Sequence, residues 1–525
     1  MTTTISDILL ARLSDFVATA MGLHFPKERW RDLERGLLNV ARDFRFNDPE
    51  QCVHWLLSSA ITKHHIEILA SYLTVGETFF FREQKSFETL EKHILPAFIN
   101  ARRGTDQRLR IWSTGCCTGE EPYSIAISIA KLIRDLTEWN ITILATDINP
   151  HFLKKAAHAE YREWSFRSTP PKVKESCFIC KDRHYTILPH LKKLVTFSYL
   201  NLAEDVYPSL VNGTNGMDII FCRNVLMYFA PQQAVKVINN LYHSLVEGGW
   251  LLTSPSDASS ALYSQFATIN FNGVTVYKKE SNRIPVKEAI PFTPVTDEMT
   301  ASFIPACDVE VPPLLLDMQY VPPLPHEDTK PFSLKVKTLT ETKQKTTLYE
   351  EGLALYQQGR YYEAIKKLLE CLPHLQDVPK VYSLLVRAYA DQGLIKEALE
   401  WCEKAIVADK LNPGLYYLKA TILQEQGAIE EAIVSLKRAV YLDQNFVLAH
   451  FSLGNLALQG GNLKASGKHF NNALSLLKTY EQKEILPESE GITAGRLREI
   501  ITGIAYQGST DPRPVTTDIR EDQLR

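Results

Sequence analysis

Glycine recurs at a fixed interval in the C-terminal third of the chain, with Gly359, Gly393, Gly427 and Gly461 standing 34 residues apart. Ala364, Ala398 and Ala432 keep the same interval, as do the small residues Gly352, Ala420 and Gly454, with the larger Val386 in the second unit. Ala405, Ala439 and Ala473 recur near the end of each unit. A unit of this length, with glycine near its middle and small residues on either side, is a pair of helices joined by a tight turn and crossing at the small side chains. One such pair cannot bury its own apolar face, so the units must stack, and stacked pairs form a superhelix with a concave surface. An all-α solenoid over residues 345–478 is expected. Residues 479–525 then supply a capping helix near Ala494–Ala505 and a loose tail after Gly508.

Nothing upstream shares this period. Residues 1–75 alternate helical patterns with short breaks, as in Ile5–Met21 and Val53–Tyr72, and predict a small helical subdomain. From Leu109 onward, short apolar runs at 109–112, 141–145, 194–199, 219–222 and 250–253 alternate with helical segments. That alternation predicts a mostly parallel sheet covered by helices over residues 76–280. Helices are expected at Pro122–Leu136, Pro150–His158 and Pro231–Leu245, each with proline in its first turn, and Gly248 and Gly249 are expected to end the last one. Between 281 and 344, ten prolines from Pro285 to Pro331 favour an extended linker.

The whole-chain numbers exclude more than they assign. A formal net charge of −3 gives no global attraction to nucleic acid. Nine cysteines without framework spacing read as free thiols in the cytoplasm. The apolar stretch near Ile8–Ala20 is interrupted by Arg12 and Asp15 and suits an amphipathic helix, and no run approaches the roughly 20 apolar residues of a membrane span. Cys177 and Cys180 have zinc-knuckle spacing but lack a second pair, so no metal is assigned.

The most informative segment runs from Trp112 to Ser124, Trp-Ser-Thr-Gly-Cys-Cys-Thr-Gly-Glu-Glu-Pro-Tyr-Ser, between a strand and a helix. Its glycines let the backbone turn beneath a ligand at the carboxyl edge of the sheet. Sites for NAD, FAD and S-adenosylmethionine all use such a turn. The acids Glu120 and Glu121 would repel a pyrophosphate but suit a ligand with a cationic amino group, the lesser alternative being an ordinary helix start enriched in acids. Asp147, closing the second strand, can accept ribose hydroxyls. Asn149 caps the next helix. The strand Met217–Cys222 delivers Arg223 and Asn224 at its carboxyl end, and Arg82 follows the aromatic triplet Phe79-Phe80-Phe81.

Taken together, Thr78–Glu83, Trp112–Ser124, Asp147, Asn201-Leu202 and Cys222–Phe229 resemble the CheR family of chemotaxis-receptor methyltransferases, over roughly residues 1–280. The C-terminal period resembles tetratricopeptide (TPR) repeats. The resemblance implies an α/β, Rossmann-like class I methyltransferase domain with an N-terminal helical subdomain, joined to an all-α TPR solenoid. It implies S-adenosyl-L-methionine as donor, S-adenosyl-L-homocysteine as product and receptor glutamates as acceptors. The partners would be receptor signalling helices and a protein or peptide at the repeats, with neither nucleic acid nor direct membrane insertion.

Carried over by position, Thr78, Arg82 and Glu121 would bind the methionine part and Asp147 the ribose. Asn201, Leu202, Arg223 and Asn224 would line the adenosine side, and Arg82 and Tyr228 would face the transferring methyl. Gly76 stands where the family often has asparagine, which would remove a cofactor hydrogen bond. The family's N-terminal domain is often basic, whereas Lys27, Arg29, Arg31, Arg35, Arg42 and Arg45 are here interleaved with acids. The stretch 161–193, where some relatives carry a receptor-tethering β-subdomain, has no glycine-rich loop. Two rivals stay open: an enzyme of this fold acting on RNA or a small molecule, and a non-catalytic scaffold that senses the donor.

Overall fold

A computed structural model of the chain describes residues 5–210, 212–257, 262–271, 273–280, 348–372, 378–489 and 491–508. The proline-rich linker and the tail after Gly508 lie outside them.

The helices Asp7–Met21, Trp30–Asp43, Pro49–Ser58 and Lys63–Leu73 bury one apolar cluster of their own, including Leu13, Val17, Leu33, Val40, Val53 and Leu69. Their boundaries follow local chemistry. Asp48 accepts a hydrogen bond from the Glu50 N–H (3.0 Å), and Thr62 and His65 cap each other reciprocally. Several of the bases on this surface are paired with acids: Lys27 with Asp7 at 3.3 Å, and Arg35 with Asp32 at 2.8 Å.

The strands, in chain order, are β1 (Arg108–Thr114), β2 (Asn140–Asp147), β3 (Glu160–Tyr161), β4 (Phe178–Lys181), β5 (His184–Ile187), β6 (Val195–Tyr199), β7 (Met217–Cys222), β8 (Leu245–Thr253), β9 (Ala267–Phe271) and β10 (Val274–Lys278). Seven of them form one sheet in the order β6-β2-β1-β7-β8-β10-β9. The first five in that order run parallel, whereas β10 and β9 add antiparallel at the edge. Every residue of β1 is buried, as expected for a central strand covered on both faces. The helices Glu120–Leu132, Pro150–His158 and Pro231–Ser244 connect the parallel strands.

One expectation fails here. The helix ends at Ser244 and β8 begins at once, so Gly248 and Gly249 lie inside the strand rather than before it. Gly248 takes φ 76° and donates to the Lys279 carbonyl at 2.9 Å, and the pairing of β8 with β7 shifts register beside it. The small antiparallel sheet β3-β5-β4 occupies the stretch without a glycine-rich loop, and Cys180 sits in its edge strand β4, opposite Tyr185.

Residues 348–372 and 378–477 form the stacked helix pairs, and Gly359, Gly393, Gly427 and Gly461 each take a left-handed φ of 71–78° in the turn within a pair. Those turns also dock the solenoid. A Cβ on Gly359 would fall 1.9 Å from the His243 ring, and one on Gly393 would fall 2.8 Å from Val246. The same edge carries Glu425, whose carboxylate lies 3.6 Å from Arg108 and 3.4 Å from Arg110. Its carbonyl accepts from Asn140 Nδ2 at 2.7 Å. Arg108 and Asn140 open β1 and β2, so this part of the solenoid sits under the amino ends of the strands and leaves their carboxyl ends free. Among the described residues no helix is long and apolar enough to cross a membrane.

Candidate active site

At the carboxyl edge of the sheet, β1 ends at Thr114 and the chain turns through Gly115 (φ 62°) and Gly119 (φ 93°) into the helix Glu120–Leu132. Side chains are excluded there. A Cβ on Gly115 would fall 2.5 Å from Val225, and one on Gly119 would fall 2.9 Å from both Ala156 and the Tyr161 hydroxyl. This turn packs beneath two adjoining cavities. The larger, of about 740 Å³, is mostly apolar and is lined by residues including Leu23, Phe25, Asp147, Leu202 and Tyr228. The smaller, of about 450 Å³, is polar and is lined by residues including Thr78, Arg82, Glu121 and Arg223. Gly115, Cys117 and Asn224 border both.

The parallel strands deliver charge to this junction. β2 brings Asp147, whose carboxylate accepts from the N–H groups of Cys117 and Asn149, each at 2.8 Å. Burial pushes its pKa up to about 6, against those backbone hydrogen bonds, which favour the ionised form. β7 brings Arg223, almost fully enclosed, which pairs with Glu121 at 3.1 Å and Glu83 at 3.0 Å and donates to the Arg82 carbonyl. Glu121 also accepts from the Ser113 hydroxyl at 2.8 Å. Burial raises the Glu121 pKa, and the Arg223 charge opposes that rise. Asn224 takes φ 56°, held by its N–H donating to Asp257 at 3.0 Å. Phe81 and Glu83 also take left-handed φ, so three non-glycine residues around Arg223 hold a costly backbone conformation.

Most of the residues singled out in the sequence meet here. Thr78, Arg82, Glu121, Arg223 and Asn224 line the polar cavity, and Asp147, Asn201, Leu202, Asn224 and Tyr228 line the apolar one. Arg223 thus stands with Glu121, apart from Asn201 and Leu202. The Asn201 amide is engaged within the protein, donating to the Ala20 carbonyl at 2.8 Å and accepting from the Ala203 N–H at 3.1 Å. Gly76 lines neither cavity, and a Cβ there would fall 2.6 Å from the Phe152 ring. Phe80 is core, packed on Tyr161 and Phe166, whereas Phe79 reaches the polar cavity.

The two adjacent acids part company. Glu120 turns away from both cavities, its carboxylate accepting from the hydroxyls of Thr118 (2.6 Å) and Ser165 (3.0 Å). Only Glu121 of the pair faces a ligand space, because successive helical residues point about 100° apart. Glu83, Ser113 and Asp257 were not legible as site residues. Glu83 and Ser113 had one signal, proximity to Arg82 and to the glycine turn, and Asp257 had none.

A mostly apolar cleft with a buried carboxylate at its rim suits a nucleoside, and an adjoining polar space with buried acid and guanidinium suits an amino-acid zwitterion. S-adenosylmethionine joins those two parts in one molecule. Replacing Arg223 with methionine is expected to lower stability by about 3–5 kcal/mol, because two enclosed carboxylates lose their cation. A thermal melt would read this as a fall of roughly 10 °C. Burial raises the Glu121 pKa, so the penalty belongs to the ionised form, is present above that pKa and shrinks as pH falls through it.

Known proteins agree with this geometry. Residues 76–273 match the model described as CheR methyltransferase, SAM binding domain, and residues 349–413 and 420–461 match tetratricopeptide repeat models. A chemotaxis protein methyltransferase of Listeria innocua is 35% identical over 187 residues, covering 36% of this chain and 67% of its own. A probable chemotaxis protein methyltransferase of Rhizobium etli is 33% identical over 215 residues, covering 40% and 77%. Chemotaxis protein methyltransferase 2 of Vibrio cholerae is 29% identical over 276 residues, covering 52% and 94%. With these relatives aligned over most of their length, and with acids placed for a donor that carries an ammonium group, the chain belongs to the CheR methyltransferases and uses S-adenosylmethionine, with TPR repeats following the catalytic half.

Proposed function

We propose that this protein transfers a methyl group to glutamate side chains of a methyl-accepting chemoreceptor in the cytoplasm, giving the methyl ester and S-adenosylhomocysteine, while its repeats recruit a partner. The observation that carries this reading is the Glu121–Arg223 pair in one cavity and Asp147 at the other, with neither histidine nor lysine bordering the polar cavity. His24, the one imidazole among the bordering residues, stands on the apolar cavity and not the polar one, where its backbone N–H donates to the Tyr228 carbonyl at 2.7 Å. A glutamate acceptor needs no general base, since its ordinary pKa of about 4.3 leaves it anionic near neutral pH.

The donor supplies a methyl group on a cationic sulfur. Asp147 holds the ribose hydroxyls, and Glu121, oriented by Arg223 and Ser113, holds the ammonium group. Asn201, Leu202 and Asn224 border the adenosine side, while Thr78 and Arg82 border the carboxylate end. Arg82 and Tyr228, one on each cavity, orient the acceptor carboxylate. The apolar walls exclude water, which strengthens attraction between an anion and a cationic centre. The eight free cysteines among the described residues suit a reducing compartment.

The test is incorporation of labelled methyl from S-adenosylmethionine into chemoreceptor cytoplasmic fragments, followed by release of methanol in base. Base-labile label supports the glutamate ester. Tight donor binding with no base-labile product assigns the site to another acceptor or to sensing.

A further inference from the structure

The first helices of the third and fourth repeats, Pro413–Glu425 and Val447–Gln459, lack the polar face that a water-filled inner wall would show. Tyr417, Leu418 and Leu423 are buried on one, and Leu448, His450 and Phe451 on the other. Part of what covers them is the chain's own continuation. Beyond Leu477 the backbone turns back, and residues 484–489 and 491–494 pair with each other. The Ala494 N–H donates to the Glu484 carbonyl at 2.8 Å and the Leu486 N–H to the Ile492 carbonyl at 3.0 Å. Leu486 and Ile492 are buried in the same apolar cluster as Tyr417, Phe446, Leu448 and Phe451.

Between them, Glu488 holds a left-handed φ of 61° and forms an ion pair with Arg387, on the first helix of the second repeat. Its carboxylate lies 3.1 Å from where a Cβ on Gly414 would be, so the glycine near the start of the third repeat lets it approach closely. Arg387 is largely enclosed, its side chain 14% exposed, and a carboxylate is a favourable partner for a guanidinium in that position. The loop therefore spans two or more repeats, with an apolar anchor in one and a charge anchor in another.

We propose that the segment carrying Leu486, Glu488 and Ile492 is an internal ligand of the solenoid. The external partner is a peptide that presents an apolar side chain two positions before a carboxylate, as Leu486 and Glu488 do, and it binds by displacing this loop. The proposal rests on the recruiting role given to the repeats and is independent of the methyl acceptor. Both ends of the loop are anchored elsewhere, since Arg498 donates to the Leu477 carbonyl at 2.7 Å and Arg496 stacks 4.7 Å from the Tyr199 ring. The loop can thus leave the groove without releasing the helix that follows it.

A fluorescein-labelled peptide with the sequence of residues 481–493, added to the full chain, tests this by anisotropy. A tethered ligand competes at an effective concentration of the order of millimolar, so the unaltered chain should bind the peptide weakly. Glu488→Arg, which sets two cations against each other at a half-exposed position, should open the groove and tighten peptide binding at least about tenfold. Leu486→Ala should act in the same direction, and adding Arg387→Glu to it should abolish binding. Unchanged circular dichroism and donor affinity establish that each variant is folded. Equal binding by the unaltered chain and both opened variants, or none by any of them, overturns the proposal. Capture of a receptor fragment that survives Arg387→Glu would leave recruitment standing and place it on another face.

Discussion

Arg82→Ala is expected to reduce methyl transfer by about a thousandfold while leaving the fold intact. Arg82 borders the polar cavity, where its Nη1 donates to the Glu77 carbonyl at 2.6 Å and part of the guanidinium remains accessible. No base is required for a carboxylate acceptor, so rate must come from alignment and from charge placed before the reaction begins. Removing one such preorganised donor typically costs about 10²–10³ in rate. Steady-state kinetics separate two roles. A fall in kcat with little change in KM for the donor means that Arg82 orients the acceptor, whereas a rise in that KM means that it holds the donor's carboxylate. Full activity in the variant would remove Arg82 from the mechanism. The backbone of Arg82 has a separate duty, accepting from Arg223, and alanine preserves that contact.

The second large effect is on binding. Asp147→Ala should weaken S-adenosylmethionine by at least about a hundredfold in calorimetry, since each hydrogen bond to an ionised group contributes about 1.5–3 kcal/mol and the ribose offers two. Asp147→Asn should recover part of the loss. The pH dependence follows from the environment. Burial holds the Asp147 carboxyl at about 6, and only the ionised form can accept from both hydroxyls. Donor affinity in the unaltered protein should therefore be full above that value and fall as pH drops through it. The dependence should disappear in Asp147→Asn. Affinity that is flat between pH 5 and 8 in the unaltered protein would exclude Asp147 as the ribose acceptor.

Much of this architecture could be read directly from the chain. The five apolar runs became β1, β2, β6, β7 and β8, and the 34-residue glycine spacing became four left-handed turns. Both rest on local rules, namely apolar periodicity and the steric freedom of glycine at positive φ. The antiparallel pair β9–β10 and the sheet β3-β5-β4 escaped, because strands of two to five residues carry little periodic signal. Gly248 and Gly249 misled for a related reason, since a glycine that ends a helix and one that bulges a strand look alike in sequence.

By itself the sequence determined the two fold classes, the carboxyl edge of the sheet as the place for chemistry, and the acids and guanidinium that gather there. Those depend on neighbours a few residues apart. Only the tertiary structure decided which of Glu120 and Glu121 faces the ligand. It alone joined Arg108 and Arg110 to Glu425 beneath the sheet, and Arg387 to Glu488 within the repeats. Each of those pairs joins positions about a hundred or more residues apart, and a buried charge carries no local mark of the partner it will meet. What selects the partner is the cost of leaving either charge enclosed and unpaired, and that cost exists only once the chain has folded around both.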